Sequence, residues 1–228
     1  TLTDNDSDNL VIGSSVVNII ATFSEAMAST PTINIGTEVS NVLMTASSTS
    51  NIWTYPWTVS ATTSGIVTAT VSGSDVSGNA YSGTDSITFT IDNSTPEIIS
   101  SGLTSDNLFF NITFDDDVFT DLISGQGSNS LQTSDFEFSI SSSSSYSLSS
   151  QNPQSITQSE TSYALEIPAQ GFGNGSGTIS LNISNNSIYD IAGNSFSSTI
   201  TKNLNDNLLV YYDFSNVSSY NGNATSSS

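Results

Sequence analysis

Carboxylates are the side chains of this sequence that could do chemistry, because the usual catalytic partners are missing. The chain of 228 residues carries 21 acidic residues and one basic residue, Lys202, with no His and no Cys. A serine nucleophile therefore has no conventional base, and thiolate chemistry is excluded. Two carboxylates could still serve as the acid and base of a glycosidase. We nevertheless predict a protein that is not an enzyme, because its acidic clusters fall in predicted turns.

The net charge of -20 limits the partners of the chain. Nucleic acids are bound chiefly by Lys and Arg side chains that neutralise phosphates, and anionic membrane surfaces attract the same side chains. We therefore predict no nucleic-acid partner, and we predict no membrane insertion because no apolar run approaches the roughly 18 residues that span a bilayer. Asp outnumbers Glu by 15 to 6, and short carboxylates are suited to oxygen cages for Ca²⁺. The sequence predicts Ca²⁺ as the cofactor.

Short runs rich in Val, Ile, Thr, Phe and Tyr, separated by Gly, Asn, Asp and Ser, must position these carboxylates. Such runs are typical of strands, and no helical periodicity is present. The predicted fold is all-β: two tandem immunoglobulin-like Greek-key β-sandwiches end to end, plus the first strand of a jelly roll. The predicted strands are 1–3 with 10–12, 16–23, 32–35, 41–46, 52–60, 66–72 and 86–91, and then 97–103, 108–114, 136–140, 155–158, 163–167, 178–183 and 196–201.

A turn-like link at residues 92–96, which ends in Pro96, divides the two predicted units. Two landmarks repeat on either side of it: Thr22-Phe23 matches Thr113-Phe114, and Asp75 to Asn79 matches Asp190 to Asn194. The predicted domains are a sandwich at 1–96, a longer sandwich at 97–205, and a linker with a truncated lectin-like jelly roll at 206–228. Extra residues of the second unit are expected near 139–150 and 171–177.

Greek-key topology brings the acidic clusters of the second unit to one pole, next to the first unit. The linker, the loop after the second strand and the loop before the last strand all meet there. Ca²⁺ takes six to eight oxygens, and three segments could supply them. The predicted calcium ligands at this junction are Asp92, Asp115, Asp116, Asp117, Asp190 and Asn194, with Asn93 and Asp121 nearby. Glu25 and Asp75, with Asn79, form the matching half-site of the first unit.

A further acidic cluster, formed by Asp4, Asp6 and Asp8, has alternating spacing like the first half of an EF-hand loop. It lacks the Gly and the final Glu, so it is not an EF-hand. If residues 1–3 form the first strand, the cluster is the turn to the second strand at the opposite pole. Metal binding and a metal-free turn rich in Asx hydrogen bonds stay open here. The Gly-Asn pairs at Asn79 and Asn194 can likewise be simple turn formers.

At these landmarks the sequence resembles the bacterial Ig-like repeats of giant secreted adhesins and biofilm-associated surface proteins. The resemblance covers residues 1–96 through Phe23-Ser24-Glu25-Ala26-Met27, the aromatic strand from Trp53 to Val59, and Ile91-Asp92-Asn93. It implies calcium between domains and an extracellular location, secreted or on a cell surface. Residues 97–205 are similar to a longer relative, and residues 208–222 look like the opening of a laminin-G or concanavalin-like domain.

We therefore predict a structural spacer or stalk segment of a large extracellular surface protein, stiffened by calcium between its domains and serving adhesion. Its partners would be neighbouring Ig-like domains of the same longer chain. The alternatives are a module that binds a glycan or a cell surface, a viral or phage fibre, and an accessory region of a polysaccharide-degrading enzyme. Trp53, Tyr55 and Trp57 share one strand face, where core packing is favoured over a sugar platform.

Overall fold

The computed structural model describes residues 1–6, 8–141, 147–170 and 177–205. They confirm the predicted all-β sandwich architecture, and the one helical segment among them is a single 3-10 turn at Thr133–Asp135. Within the same residues no helix is long and apolar enough to cross a membrane. The predicted jelly-roll strand in 208–222 lies outside the described residues.

The N-terminal sandwich consists of two sheets that follow the immunoglobulin strand order. One sheet has the order β1-β3-β7-β6 and the other β2-β9-β8-β4-β5. Its strands are β1 (Leu2–Thr3), β2 (Leu10–Val11), β3 (Val16–Thr22), β4 (Thr32–Ile35), β5 (Val39–Leu43), β6 (Thr45–Ala46), β7 (Ile52–Thr58), β8 (Gly65–Ser72) and β9 (Ile87–Ile91).

The C-terminal sandwich repeats this plan, with sheets ordered β10-β11-β17-β16 and β14-β19-β20. Two short pairs, β12 with β13 and β15 with β18, are added to it. Its strands are β10 (Ile98–Leu103), β11 (Phe109–Phe114), β12 (Asp121–Ile123), β13 (Gln126–Ser128), β14 (Glu137–Ile140), β15 (Ser147–Leu148), β16 (Ile156–Ser159), β17 (Ser162–Glu166), β18 (Ala169–Gln170), β19 (Thr178–Tyr189) and β20 (Ser195–Asn203).

Each sandwich has its own hydrophobic core between its sheets. Burial alternates along strands such as β3 and β11, so that one face of each sheet is directed inward. Trp57 packs against Phe89 of the opposite sheet with ring centroids 5.2 Å apart, and Phe110 meets Phe138 in the same way at 6.0 Å. Trp57 is 1% exposed, which confirms core packing over a sugar platform at that position.

The predicted strand at 41–46 is wrong, because the chain changes sheets there. β5 pairs with β4 in one sheet, whereas β6 pairs with β7 in the other. Met44 lies between them, is buried, and donates its backbone N–H to the Pro31 carbonyl at 2.9 Å. Burial of this side chain pulls the backbone across the edge of the sandwich, which an alternating pattern alone does not reveal.

The segment 4–9 was also misplaced by the sequence prediction. It is not a turn between the first two strands of one sheet: it joins β1, which pairs with β3, to β2, which runs parallel to β9 in the other sheet. The acidic cluster at residues 4 to 8 is thus a crossover at the edge of the sandwich. The reason is that residues 10 and 11 fit beside the last strand, a pairing of distant segments.

Strands β12 and β13 form a hairpin that the sequence prediction missed. Ile123 faces Gln126 across a two-residue loop in which Ser124 and Gly125 both have positive φ, 55° and 90°. This is the backbone that a two-residue hairpin turn requires. Since β12 is exposed throughout, it lacks the alternating pattern by which the other strands were predicted. The hairpin brings its loop to the junction of the two sandwiches.

Candidate functional site at the junction of the two sandwiches

The linker that leaves the N-terminal sandwich is anchored to it by the side chain of Asn93. The Asn93 amide donates to the backbone carbonyls of Ser60 and Thr63, and its oxygen accepts the N–H of Gly13. One side chain thereby satisfies backbone groups from two different loops. The beginning of the linker is held firmly at the end of β9.

The other side of the linker is held by a turn of the C-terminal sandwich that runs from Asp190 to Asn194. The Asp190 carboxylate accepts the backbone N–H groups of Gly193 and Asn194, both at 2.8 Å, and the Asn194 side-chain amide at 2.9 Å. The same amide donates its second N–H to the backbone carbonyl of Asp92 at 3.0 Å. Asn194 therefore links the turn to the linker directly, and we call this the Asp190 clasp.

The electrostatics of the clasp are set by burial. Asp190 is only 2% exposed. Burial raises the pKa of its carboxyl, and the charge of Asp92 raises it further. Hydrogen bonds from Asn194 and Gly193 lower this pKa, but they do not outweigh the effect of burial. The charges of Asp92 and Asp190 therefore repel each other.

The β12–β13 hairpin closes over the clasp. The N–H of Gly127 donates to the Ile191 carbonyl at 3.1 Å. A Cβ atom on Gly127 would overlap the Asp190 carbonyl, and one on Gly193 would overlap the carbonyl of Gly125. Both positions require glycine because backbone approaches backbone there. The hairpin explains why Asp190 is buried.

The loop of this hairpin also contacts the N-terminal sandwich. The side-chain amide of Gln126 donates to the carboxylate of Asp8. Beside this contact lies an open cleft of about 370 Å³, lined on one side by segments around Asp6 and Val16 and on the other by Ser124 to Gln126. The two sandwiches are therefore joined at two separate places, the linker and the hairpin loop.

The three consecutive carboxylates of the loop after β11 are exposed and serve local contacts. Asp115 accepts the N–H of Glu97 at 2.7 Å and donates its own N–H to the Glu97 carbonyl at 3.0 Å. Asp116 accepts the N–H of Asp117 at 2.7 Å. Burial, with the charge of Asp117, raises the pKa of Tyr163 to about 12. Asp115 fixes the end of the linker by these backbone hydrogen bonds, whereas the charge of Asp117 acts on Tyr163 in β17.

These positions do not amount to a preformed metal cage. Within residues 1–6, 8–141, 147–170 and 177–205, no three Asp or Glu side chains converge closely enough to hold a metal ion. The carboxylate of Asp190, one of the predicted ligands, already accepts three N–H groups. The geometry fits a hydrogen-bonded clasp better than a calcium cage, and calcium binding stays a prediction.

In the N-terminal sandwich the predicted half-site residues Glu25 and Asp75 line one cleft of about 410 Å³ at its outer pole. Asp75 accepts the backbone N–H groups of Ser77 and Asn79 at 2.8 Å, and the Asn79 side-chain amide at 2.8 Å. The hydrogen bonds from Asn79 hold the pKa of Asp75 below its usual range. Asp75 thus stabilises a turn, and Glu25 stands beside it without forming a cage.

The acidic crossover of residues 4–9 is a series of Asx turns. Asp4 accepts the N–H of Asp6 at 2.8 Å, Asp6 that of Asp8 at 3.3 Å, and Asp8 that of Leu10 at 3.0 Å. Burial and the charge of Asp8 raise the pKa of Asp6. Desolvation of Asp8 is outweighed by hydrogen bonds from Leu10 and Gln126, so its pKa is lowered. The segment therefore makes the Asx hydrogen bonds that the sequence predicted as one alternative, and metal binding here stays a prediction.

No family model and no curated protein matches this chain. Among solved structures, the chain is similar to a Bacteroides ovatus protein described as SGBP-B of the mixed-linkage glucan utilization locus, in complex with a mixed-linkage heptasaccharide. The identity is 13% and the TM-score 0.24, and the match covers 90% of this chain and 44% of that one. The chain therefore spans less than half the length of that protein, and a likeness of this degree supports no functional comparison.

Sequence reasoning placed Asn93 and Asn194 at this junction as candidate calcium ligands but missed their hydrogen bonds to the backbone, and it missed Gln126 altogether. The pattern Asp-x-x-Gly-Asn, which occurs twice, pointed to Asn194 as a calcium ligand or a turn former, and neither interpretation included a hydrogen bond from its amide to the linker. No local pattern identifies Gln126, whose partner Asp8 is far away in the chain. The functional groups at this junction are amides at least as much as carboxylates.

Proposed function

We propose that this chain is a non-catalytic spacer segment of an extracellular surface protein, in which two β-sandwiches are held in a fixed mutual orientation. The observation that carries the proposal is the linker, which is hydrogen-bonded to both of its neighbours. Asn93 anchors it to one sandwich and the amide of Asn194 holds it to the other. A spacer must resist bending at its junctions, and this junction has specific contacts for that purpose.

The strength of the junction can be bounded from its contacts. The bond from Asn194 to Asp92 joins neutral groups, and the bond from Gln126 reaches the charged Asp8. The first bond contributes about 1 kcal/mol, and the exposed contact of Gln126 with Asp8 adds at most about 1 kcal/mol because solvent screens it. Their sum of about 1 to 2 kcal/mol favours the joined orientation over a free one by roughly tenfold.

The chemistry of the chain supports the non-catalytic part of the proposal. The buried carboxyl of the junction, that of Asp190, lies under the hairpin and is hydrogen-bonded within its turn, so it is not presented to a substrate. The excess of negative charge keeps a long repetitive protein soluble outside the cell. The extracellular assignment itself rests on the resemblance to bacterial Ig-like repeats.

Distance measurements between spin labels test the fixed orientation. The chain has no Cys, so single cysteines placed at the exposed positions Ser40 and Ser197 would carry the labels. We expect one narrow distance distribution, which broadens in Asn194→Ala and further when Gln126→Ala is added. A broad distribution in the unsubstituted chain would contradict the spacer. Specific binding on a glycan array would favour the alternative of a carbohydrate-binding module.

A further inference from the structure

The turn from Asp75 to Asn79 in the N-terminal sandwich shares three hydrogen bonds with the Asp190 clasp, although Asp75 accepts a further N–H from Ser77 and Asp190 accepts one from Gly193. In both turns the backbone N–H of the Asn donates to the Asp carboxylate at 2.8 Å. The side-chain amide of the Asn donates to the other carboxylate oxygen, at 2.8 Å for Asn79 and 2.9 Å for Asn194. The N–H of the Asp donates to the carbonyl of the Asn at 2.9 and 3.1 Å. The two turns are therefore the same device.

The two turns differ in what the second amide N–H of the Asn does. Asn194 uses it for the carbonyl of Asp92. In the part of the chain that the structure describes, the side-chain amide of Asn79 donates only to Asp75. The second N–H of the Asn79 amide therefore has no acceptor among the described residues, and the Asn79 side chain is exposed. The Asp75 turn is thus a clasp whose linker carbonyl is missing.

The surface around this clasp has room for a linker. The cleft of about 410 Å³ lies beside Asn79 and includes the apolar side chains of Phe23, Met27 and Tyr81. Val76 is 69% exposed, whereas its counterpart Ile191 is 43% exposed. In the C-terminal sandwich the corresponding surface is covered by the linker and the β12–β13 hairpin. Here it is open.

We propose that the outer pole of the N-terminal sandwich is a docking surface for the extended segment that leaves another sandwich of the same kind. The occupant is a segment with the chemistry of residues 90–96, whose backbone carbonyl at the position of Asp92 accepts the free N–H of Asn79. The argument is continuity with the junction already described, where an identical turn binds this segment. The inference deepens the proposed spacer function and rests on it.

The register of the first strands shows how such a segment reaches the clasp. Thr1 and Thr22 exchange backbone hydrogen bonds, with the N–H of Thr22 donating to Thr1 at 2.9 Å. In the second sandwich, Ser100 is the partner of Thr113, the counterpart of Thr22. A segment with the sequence of residues 90–99 placed directly before Thr1 therefore arrives in the register of the existing junction.

The test compares the full chain with two extended forms. One carries the sequence of residues 90–99 before Thr1, and the other carries a Gly-Ser segment of equal length. The readout is the side-chain amide of Asn79 by NMR, with Asn194 in the same molecule as the internal reference. In the first form we expect one amide proton of Asn79 to shift downfield and to exchange roughly five- to tenfold more slowly, as a hydrogen bond of ordinary strength requires.

A second measurement separates docking from stabilisation of the turn itself. Asn79→Ala removes the Asp75 contact in every form, so the comparison between forms cancels that effect. The thermal stabilisation given by the 90–99 extension should disappear in this variant. An Asn79 amide that behaves alike in both extended forms, while Asn194 is protected, overturns the docking surface alone. An unprotected Asn194 would instead overturn the proposed function.

Discussion

Replacement of Asn194 by Ala removes both hydrogen bonds of one amide and tests the clasp directly. The bond to the Asp92 carbonyl, 3.0 Å long, joins neutral groups and contributes about 1 kcal/mol. The bond to the Asp190 carboxylate, 2.9 Å long, has a charged acceptor and contributes about 2 kcal/mol. We expect the substitution to lower the free energy of unfolding of the C-terminal sandwich by about 3 kcal/mol, since Asp190 stays buried with one fewer donor.

The assay is urea unfolding of the full chain, with the aromatic residues of the two sandwiches as separate probes. The N-terminal sandwich contains both Trp residues, so Trp fluorescence reports on it alone and far-UV circular dichroism on both. Asn79→Ala is the matched control, because it removes the turn bond without a linker bond and should cost less. Equal losses at the two positions, or a loss below about 0.5 kcal/mol for Asn194→Ala, would refute the clasp as a junction element.

Three further predictions follow from the same geometry. The pKa of Asp190, measured by NMR titration, should lie above the ordinary value of 3.8, and the pKa of Asp75 should lie below it. The contribution of Asp190 to stability is then full below pH 3.8 and is lost as the pH rises through its folded pKa. The contribution of Asp75 is present above pH 3.8 and is lost as the pH falls through the folded pKa of Asp75. Gly127→Ala should lower stability by about 1 to 3 kcal/mol through its clash with the Asp190 carbonyl, while Gly102→Ala, whose added methyl meets open space, should change it by less than about 0.5 kcal/mol in chemical denaturation. Calcium at about 100 times its Kd should add about 2.7 kcal/mol to the stability measured by thermal melting. Asp115→Asn should reduce this gain, because the substitution removes an exposed carboxylate of the predicted site. An unchanged melting temperature contradicts the calcium prediction.

The strands could be predicted because burial alternates along them. In β3 and β9 every second residue is buried, so the sequence alone gave their positions to within a residue or two. β19 was predicted to end at Ile183 but continues to Tyr189 through an irregular stretch in which its register with β20 shifts. The alternation of burial is interrupted there, and β19 continues to Tyr189 because it pairs with β20.

The candidate site was predicted in part. Topology correctly placed Asp92 beside Asp190, because the linker and the loop before the last strand share a pole. What those carboxylates bind could not be predicted, since an Asp in a turn accepts backbone N–H groups with the same oxygens that a cation would use. The choice between them depends on Gly193 and Asn194, whose N–H groups reach the carboxylate only in the folded turn.

Amides hold this junction because the chain has almost no cations. The chain has 21 acidic side chains and one basic side chain, that of Lys202. The single ion pair among the described residues joins the N-terminus to Asp85 at 3.4 Å. A carboxylate or carbonyl at an interface therefore needs a neutral donor, and Asn and Gln, which together far outnumber Lys in this sequence, supply it. Neutral donors are not weakened by salt as ion pairs are. The acidic composition thus explains why Asn194 and Gln126, rather than Lys or Arg, join the two sandwiches.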